Sequence, residues 1–342
     1  MSHQITIKPS GHRYTAQDDE TILEAALRDG FALPYGCRNG ACGTCKGKVL
    51  EGSVDYGTYQ DSALSETEKL AGMALFCCAR PQSDLIIECR EIGAAKDIQI
   101  KAMPCRVDRM ERLAPDVMAL YLKLPANERL QFLAGQYLDV LMKDGKRRSF
   151  SIANAPHDDE LLLLHIRNIP GGTFTEHVFT KMQEKEILRF EGPLGTFFLR
   201  EDGTRPILFV AGGTGFAPIK GMLEHAFHLG LQRQMSLYWG ARSLKDLYMP
   251  ELPRKWQEEH PNFSFVPVLS EPRPEDRWQG RTGLVHQAVL QDVADLSGYQ
   301  VYASGSPLMV EAAHKNFLER GLPETEFFSD AFLFSNDPRP AA

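Results

Sequence analysis

The apolar and polar positions change their pattern three times along the chain. The first part mixes short strands with one helix. In "TILEAALRDG", Thr21 and Glu24 stand three apart, as in a capping box, and Gly30 supplies a stop. "GKVLEGSVDY" reads as strand, turn and strand, and "LFCCARPQSDLIIE" ends in another strand. Residues 93–103, "GAAKDIQIKAM", read as a linker into a new strand. From Pro104 onward the pattern becomes short alternating strands: "CRVDRMERLAPDVMALYLKL", "FLAGQYLDVLM", "RRSFSIAN" and "ELLLLHIRNI". Such spacing predicts an antiparallel barrel or sandwich. A helical stretch, "TFTEHVFTKM", interrupts it, and "EGPLGTFFL" closes it. The third pattern begins at "RPILFVAGGTGFAPIKGMLEHAF". There "ILFVA", "QMSLYWGAR", "FSFVPVLSE" and "YQVYASGSP" alternate with "MPELPRKWQEEH", "GLVHQAVLQDV" and "PLMVEAAHKNFLERG". Strands alternating with helices predict a parallel, doubly wound sheet.

Composition narrows the function classes. At 342 residues, 43% hydrophobic and 24% charged, the chain has room for two or three globular domains. A net charge of −7 argues against broad nucleic-acid affinity. The purest apolar run, Leu161–Leu164, stops at His165, far short of a membrane span. The N-terminus carries no apolar signal core, so the expected compartment is the cytoplasm, where disulfides are uncommon.

That setting bears on the seven cysteines, Cys37, Cys42, Cys45, Cys77, Cys78, Cys89 and Cys105. The first three follow C-x4-C-x2-C, and Cys77 lies further on, which is the plant-type spacing for a 2Fe–2S cluster. The stretch "YGCRNGACGTCKGKV" supplies glycines for close backbone approach and puts Arg38 and Lys46 near an anionic core. Structural zinc is the rival; it favours two C-x2-C pairs, and the adjacent Cys77 and Cys78 cannot form the second. A thioredoxin-like pair needs a βαβ setting that Cys42 lacks. Cys78 stays open as an alternative fourth ligand, whereas Cys89 and Cys105 read as small core residues.

On these residues, about 3–92 resembles a plant-type 2Fe–2S ferredoxin. The resemblance implies Cys37, Cys42, Cys45 and Cys77 as metal ligands. Residues 1–95 hold 13 acidic and 9 basic side chains, a net of −4, a surface able to steer a redox partner.

"RRSFSIAN" resembles the R-x-Y-S flavin motif of the ferredoxin–NADP reductase superfamily, with Phe150 where tyrosine is usual. The resemblance assigns flavin contacts to Arg148, Ser149, Phe150 and Ser151: pyrophosphate for the arginine, ring stacking for Phe150, flavin N5 for Ser151. "GGTFTEHV" matches the family's second phosphate-binding turn through Gly171, Gly172, Thr173 and Thr175. The expected flavin is FAD, with FMN open.

The turn Gly212, Gly213, Thr214 and Gly215 joins a strand to a helix holding Pro218, a setting for a pyrophosphate at a helix N-terminus. "GGTGFAP", "WGAR", "DLYMPEL" and "VYASGSP" resemble the same superfamily over about 104–332. Ser304 stands where that family usually has a cysteine near the nicotinamide. The resemblance places Ser151, Thr214 and Ser304 beside hydride transfer. Arg242 and Lys245 beside Asp246 favour NADH modestly and leave NADPH open. Phe332, in "FFSDAF", covers the flavin or nicotinamide site or simply packs in the core.

The expectation is therefore a multidomain chain. It has an α+β, β-grasp-like ferredoxin domain at 1–95, an antiparallel β-barrel FAD domain at 103–203, and an α/β doubly wound NAD(P)H domain at 204–342. This order resembles the reductase components of bacterial oxygenases and the CDP-6-deoxy-Δ3,4-glucoseen reductases, and leans to the latter. The implied function is an NAD(P)H-dependent iron–sulfur flavoprotein reductase whose partner is an electron-accepting dehydrase or oxygenase component. A redox-sensing regulatory protein is the alternative of another class, and no DNA-binding element supports it.

Overall fold

The computed structural model describes residues 2–92 and 98–332. Of the expected linker, 93–97 lie outside the described residues. The chain divides into two compact units, Met1–Gln99 and Ile100–Ala342.

The first unit contains β1 (Ser2–Lys8), β2 (Arg13–Gln17), α1 (Ile22–Arg28), β3 (Lys46–Glu51), β4 (Val54–Asp55), α2 (Glu66–Leu70), β5 (Met73–Leu75), β6 (Arg80–Pro81) and β7 (Leu85–Glu88). Five strands form one mixed sheet in the order β2-β1-β7-β3-β5. Its central pair, β1 and β7, is parallel. Strand alternation sends Ile5, Ile7, Leu85 and Ile87 inward, and α1 buries Ile22, Leu23, Ala25 and Ala26. Thr21 and Glu24 make the reciprocal capping box: Glu24 N–H donates to Thr21 Oγ1 at 3.2 Å, and Thr21 N–H to Glu24 Oε2 at 3.0 Å. Gly30, at φ +81°, ends the helix. The strand and turn seen in "GKVLEGSVDY" are β3 and β4, but β4 pairs with β6 rather than with β3.

The second unit opens with β8 (Lys101–Ala114), β9 (Val117–Lys123), β10 (Tyr137–Leu141), β11 (Arg147–Ser151), β12 (Leu162–Arg167), α3 (Thr173–Thr180) and β13 (Ile187–Leu194). These strands form an antiparallel sheet in the order β11-β10-β13-β8-β9-β12. An Ile152–Leu164 bridge joins the two ends of that order, which closes the sheet into a barrel. Val107, Leu120, Leu138, Leu164 and Phe190 fill its inside, and α3 adds Phe174 and Val178.

The unit continues with β14 (Ile207–Gly212), a 3₁₀ turn (Gly213–Gly215), α4 (Phe216–His228), β15 (Met235–Ala241), α5 (Glu251–Glu259), β16 (Phe263–Leu269), β17 (Arg281–Thr282), α6 (Val285–Asp292), β18 (Gln300–Gly305), α7 (Pro307–Glu319) and β19 (Phe327–Ala331). All six strands run parallel in the order β17-β16-β15-β14-β18-β19. Both faces of β14 are covered. Ile207, Phe209 and Ala211 join a core with Phe216, Trp239 and Trp256, while Leu208 and Val210 join one with Val289, Ala303 and Phe317. The strand order reverses between β14 and β18. Such a switch point opens a crevice at the strand carboxyl ends, here Gly212 and Gly305.

A buried pair ties β12 to the loop after β15. His165 Nδ1 lies 3.0 Å from Tyr248 Oη, and the rings meet edge to face. Burial, then the Lys220 charge, lowers the His165 pKa from 6.5 to about 3. The folded chain therefore holds His165 neutral where the unfolded chain would protonate it. Stability is complete above the unfolded pKa and is lost as pH falls, by about 1.4 kcal/mol per unit. Urea melts are expected to lose about 2 kcal/mol to this group between pH 6.5 and pH 5. His165→Gln should remove that part of the slope; an unchanged slope would refute the assignment.

Candidate functional site

The cysteine loop follows α1 and uses left-handed backbone at Arg38, Gly40 and Gly43 (φ +59°, +73° and +75°). Gly40 is required twice over: by its φ, and because a Cβ there would sit 2.9 Å from the Tyr59 Cα. With this winding, Ala41 and Cys42 N–H donate to Cys37 Sγ at 3.4 and 3.3 Å, and Cys37 N–H donates to Cys42 Sγ at 3.4 Å. Cys77, in the turn after β5, brings its Sγ to 3.2 Å from Cys45 Sγ.

The four thiols thus fall into two pairs, Cys37 with Cys42 and Cys45 with Cys77. Within each pair one thiol is hydrogen-bonded to the other. The Cys37 thiol lowers Cys42 to about 6, and the Cys45 thiol, then that of Cys78, lowers Cys77 to about 4. Cys37 and Cys45 are pushed up by their partners and by burial. Among the described residues, no group of three or more His, Cys, Asp or Glu side chains converges as for a single ion. Two sulfur pairs with amide donors aimed at them fit a two-iron core; a mononuclear zinc site needs four ligands about one point. A Cβ on Gly36 would crowd Cys42 Sγ at 3.2 Å, so the bare backbone there keeps that sulfur accessible. All seven cysteines are free.

Lys46, expected to lend charge to the loop, pairs instead with Glu68 at 2.5 Å. Lys46, with the α2 cap at Ser65, lowers the Glu68 carboxyl to about 2. The lysine therefore anchors α2 to β3.

In the barrel, β11 carries the R-x-F-S residues with alternating direction. Arg148 Nη1 donates to the Arg147 carbonyl at 2.9 Å. Ser149 Oγ donates to Asp139 Oδ1 at 2.6 Å, so that hydroxyl is engaged by the neighbouring strand. The Phe150 ring lies 5.3 Å from Phe174 and is half-buried. Ser151 is buried and donates to Asp330 Oδ2 at 3.2 Å. At the second turn, Gly172 is the cap of α3 and Thr173 its first residue. Gly171 N–H donates to Glu176 Oε1 at 2.8 Å, and Thr175 Oγ1 bonds back to Ile169 and Gly172. These donors are satisfied within the turn, so an anion there has to displace Glu176.

At the switch point, Gly213 O accepts from Trp239 Nε1 at 2.9 Å, which holds the glycine turn against β15. Thr214 is buried in that turn, and Pro218 is buried in the first turn of α4, where no backbone donor is lost. Ser304 is fully buried beneath Gly215, and its Oγ has no hydrogen-bond partner. It stands in register with Ala211 on one side and Asp330 on the other. Asp330 thus links the neighbourhoods of Ser151 and Ser304, and Thr214 adjoins them. Asp246 is turned inward, with Oδ2 accepting from Ser243 N–H and Oγ at 3.0 and 2.8 Å. The Arg242 carbonyl accepts from Glu271 N–H at 2.8 Å. Phe332 N–H donates to the Gly305 carbonyl at 2.8 Å, which lays the chain after β19 across the end of β18.

Two residues at this site carry no signal in the sequence patterns. Asp330 is there only as the acid in "FFSDAF". Arg167, at the end of β12, reaches the glycine turn: a Cβ on Gly213 would meet its Nη1 at 3.0 Å. Its Nε lies 3.4 Å from Asp116, while its buried Nη2 and the neighbouring Asn168 Oδ1 lack hydrogen-bond partners. A buried guanidinium nitrogen left open beside a glycine turn fits a phosphate-bearing nucleotide.

Comparison with known proteins agrees with this geometry. The 2Fe-2S iron-sulfur cluster binding domain matches residues 5–82, the oxidoreductase FAD-binding domain 104–199, and the oxidoreductase NAD-binding domain 209–315. The chain is 41% identical to the CDP-6-deoxy-L-threo-D-glycero-4-hexulose-3-dehydrase reductase of Yersinia pestis, covering 97% of this chain and 99% of that one. It is 34% identical to the reductase component of phenol 2-monooxygenase from Pseudomonas sp. (strain CF600), covering 98% and 96%. An Amycolatopsis cytochrome P450 reductase superposes with a TM-score of 0.80 at 34% identity, over 96% of this chain and 98% of that one.

Proposed function

The chain belongs to the iron–sulfur flavoprotein reductases, and from that premise we propose that its acceptor is a dehydrase acting on a CDP-linked 6-deoxy-4-hexulose. It is an NAD(P)H-dependent oxidoreductase that takes a 2Fe–2S cluster, FAD and NAD(H). When bound, the nucleotide supplies a hydride, the flavin divides the electron pair, and the cluster delivers electrons singly. The observation that carries the acceptor is the 41% identity to the dehydrase reductase across nearly both full lengths, against 34% for the phenol monooxygenase component. The test is NADH consumption with each acceptor type added separately. Turnover with a CDP-hexulose dehydrase and none with an oxygenase component supports the reading; the reverse result favours the oxygenase alternative.

The chain's own residues have these roles. Cys37, Cys42, Cys45 and Cys77 hold the cluster. Phe150 offers a ring face to the flavin, and Arg148 offers charge to its phosphates. Ser151 holds a hydrogen bond at the reacting edge, oriented by Asp330. The turn Gly212–Gly215 and Arg167 take the nucleotide phosphates, and Ser304 and Thr214 line the nicotinamide end. NADH is the favoured donor. Asp246, in the segment after β15, and Asp276, in the segment after β16, bring two carboxylates together, with Leu244 N–H donating to Asp276 Oδ2 at 3.2 Å. Such carboxylates repel a 2′-phosphate. The cytoplasm is the proposed compartment, since reducing conditions keep seven free cysteines available; among the described residues no helix is long and apolar enough to cross a membrane.

Ser151→Ala removes one hydrogen bond from the reacting edge. It is expected to slow flavin reduction by NADH about tenfold, the worth of one such bond, with iron content unchanged. Stopped-flow absorbance checks this, and an unaltered rate would remove Ser151 from the role.

A further inference from the structure

One thiol near the cluster loop has no part in the four-cysteine set. Cys77 and Cys78 lie in a helical turn after β5, because Cys78 N–H and Ala79 N–H both donate to the Leu75 carbonyl, at 2.9 and 2.8 Å. A helical turn separates neighbouring side chains by about 100°, whereas a strand would point them to opposite faces. The two thiols therefore leave the backbone on the same side, with Sγ atoms 3.6 Å apart. Two sulfurs on one tetrahedral metal, at bonds of about 2.3 Å as for zinc, stand about 3.8 Å apart. Cys78 Sγ is thus already at the separation of a neighbouring coordination vertex. It also touches the ligand loop itself: a Cβ on Gly40, between Cys37 and Cys42, would lie 2.7 Å from it. Gly57 closes over its carbonyl, where a Cβ would come within 2.6 Å.

The arrangement is specific to the fourth position. The residues flanking Cys37, Cys42 and Cys45 are Gly36, Arg38, Ala41, Gly43, Thr44 and Lys46, none of them a thiol. Cys89 ends the β7 region and Cys105 is buried in β8, in the barrel core.

We propose that Cys78 is a reserve ligand, which takes the iron when Cys77 releases it. The exchange balances without any oxidant. The iron–sulfur bond to Cys77 breaks, one to Cys78 forms, and the Cys78 proton passes to the released Cys77 thiolate. No electron moves, and total charge is unchanged. The inference rests on the ligand set proposed above and adds a fifth competent thiol to it.

The test compares full-length variants purified anaerobically, read by iron and acid-labile sulfide content, visible absorption and the EPR of the reduced protein. Resistance of the Met1–Gln99 unit to limited proteolysis reports its folding. Cys77→Ser is expected to keep the wild-type iron content with an all-thiolate spectrum. Adding Cys78→Ala to it should shift the spectrum to oxygen ligation or lose the iron. Identical spectra with and without Cys78 would overturn the proposal, as would complete iron loss from Cys77→Ser with the Met1–Gln99 unit still folded. Should Cys77→Ser unfold the Met1–Gln99 unit, Cys77→Ala decides: iron kept there and lost in Cys77→Ala with Cys78→Ala supports the reserve role, and iron lost from both overturns it. Cys42→Ser separates the two levels of argument. Its sequence neighbours, Ala41 and Gly43, offer no reserve thiol, so a wild-type spectrum in that variant would sink the ligand set itself.

Discussion

Replacing Cys42 with serine is expected to abolish NADH-driven reduction of cytochrome c while NADH still reduces the flavin in the same chain. Cys42 Sγ accepts the Cys37 N–H at 3.4 Å and is paired with the Cys37 thiol. A serine hydroxyl is a poor substitute for a thiolate toward iron. Loss of a partner that merely orients a metal ligand costs up to about 100-fold, so loss of the ligand itself should cost at least about that. The FAD-binding and NAD-binding domains, with the residues proposed for those cofactors, belong to the other compact unit, Ile100–Ala342, which has its own cores. Its folding should not feel the change. Stopped-flow flavin reduction and steady-state cytochrome c reduction, measured on one preparation, check the split. Equal loss of both activities would contradict the order in which electrons leave the chain.

Gly215→Ala is the second large effect. Gly215 has an ordinary backbone, φ −58° and ψ −13°, so alanine suffers no torsional strain there. The obstacle is space. A Cβ would lie 2.0 Å from the Ser304 carbonyl oxygen, 2.4 Å from its carbon and 2.8 Å from Gly305 N. All three are backbone atoms of β18, which is hydrogen-bonded on both sides and cannot turn aside. Overpacking of this kind costs about 3 kcal/mol, and separating the turn from β18 also spoils the proposed phosphate site. The expected result is a lowered urea midpoint together with a raised KM for NADH. Gly213→Ala is the contrast. Its cost is torsional, at φ +55°, and its new Cβ would meet only the Arg167 guanidinium at 3.0 Å, so about 1 kcal/mol is expected. Equal destabilisation by the two variants would refute the spatial argument.

Much of the fold and of the cluster loop is legible in the chain itself. The α1 cap is a three-residue relation between Thr21 and Glu24, and short-range backbone geometry determines it. The cysteine loop is equally local, because three of its four proposed ligands and the turns between them lie within nine residues. The alternating strands of 104–199 and the strand–helix repeats after Pro206 carry their own periods of two and 3.6. Where sequence and structure differ, the difference concerns partners. Lys46 reads as charge for the loop and is held by Glu68; "GKVLEGSVDY" reads as strand, turn and strand without naming partners, and β4 pairs with β6. The direction of the Cys78 thiol is open in the sequence, since adjacent residues diverge in a strand and converge in a helical turn.

The sequence by itself determined the three element patterns, the thiol spacing and the glycine turns, because each depends on torsions and spacing over a few neighbouring residues. The tertiary structure alone decided that Ser151 donates to Asp330 across 179 positions, that Ser304 lies under Gly215, and that Arg167 faces Gly213. Those contacts arise from the closure of the barrel and from the strand reversal between β14 and β18. Sheet order is set by the packing of whole cores against one another, and no short stretch of sequence carries that information.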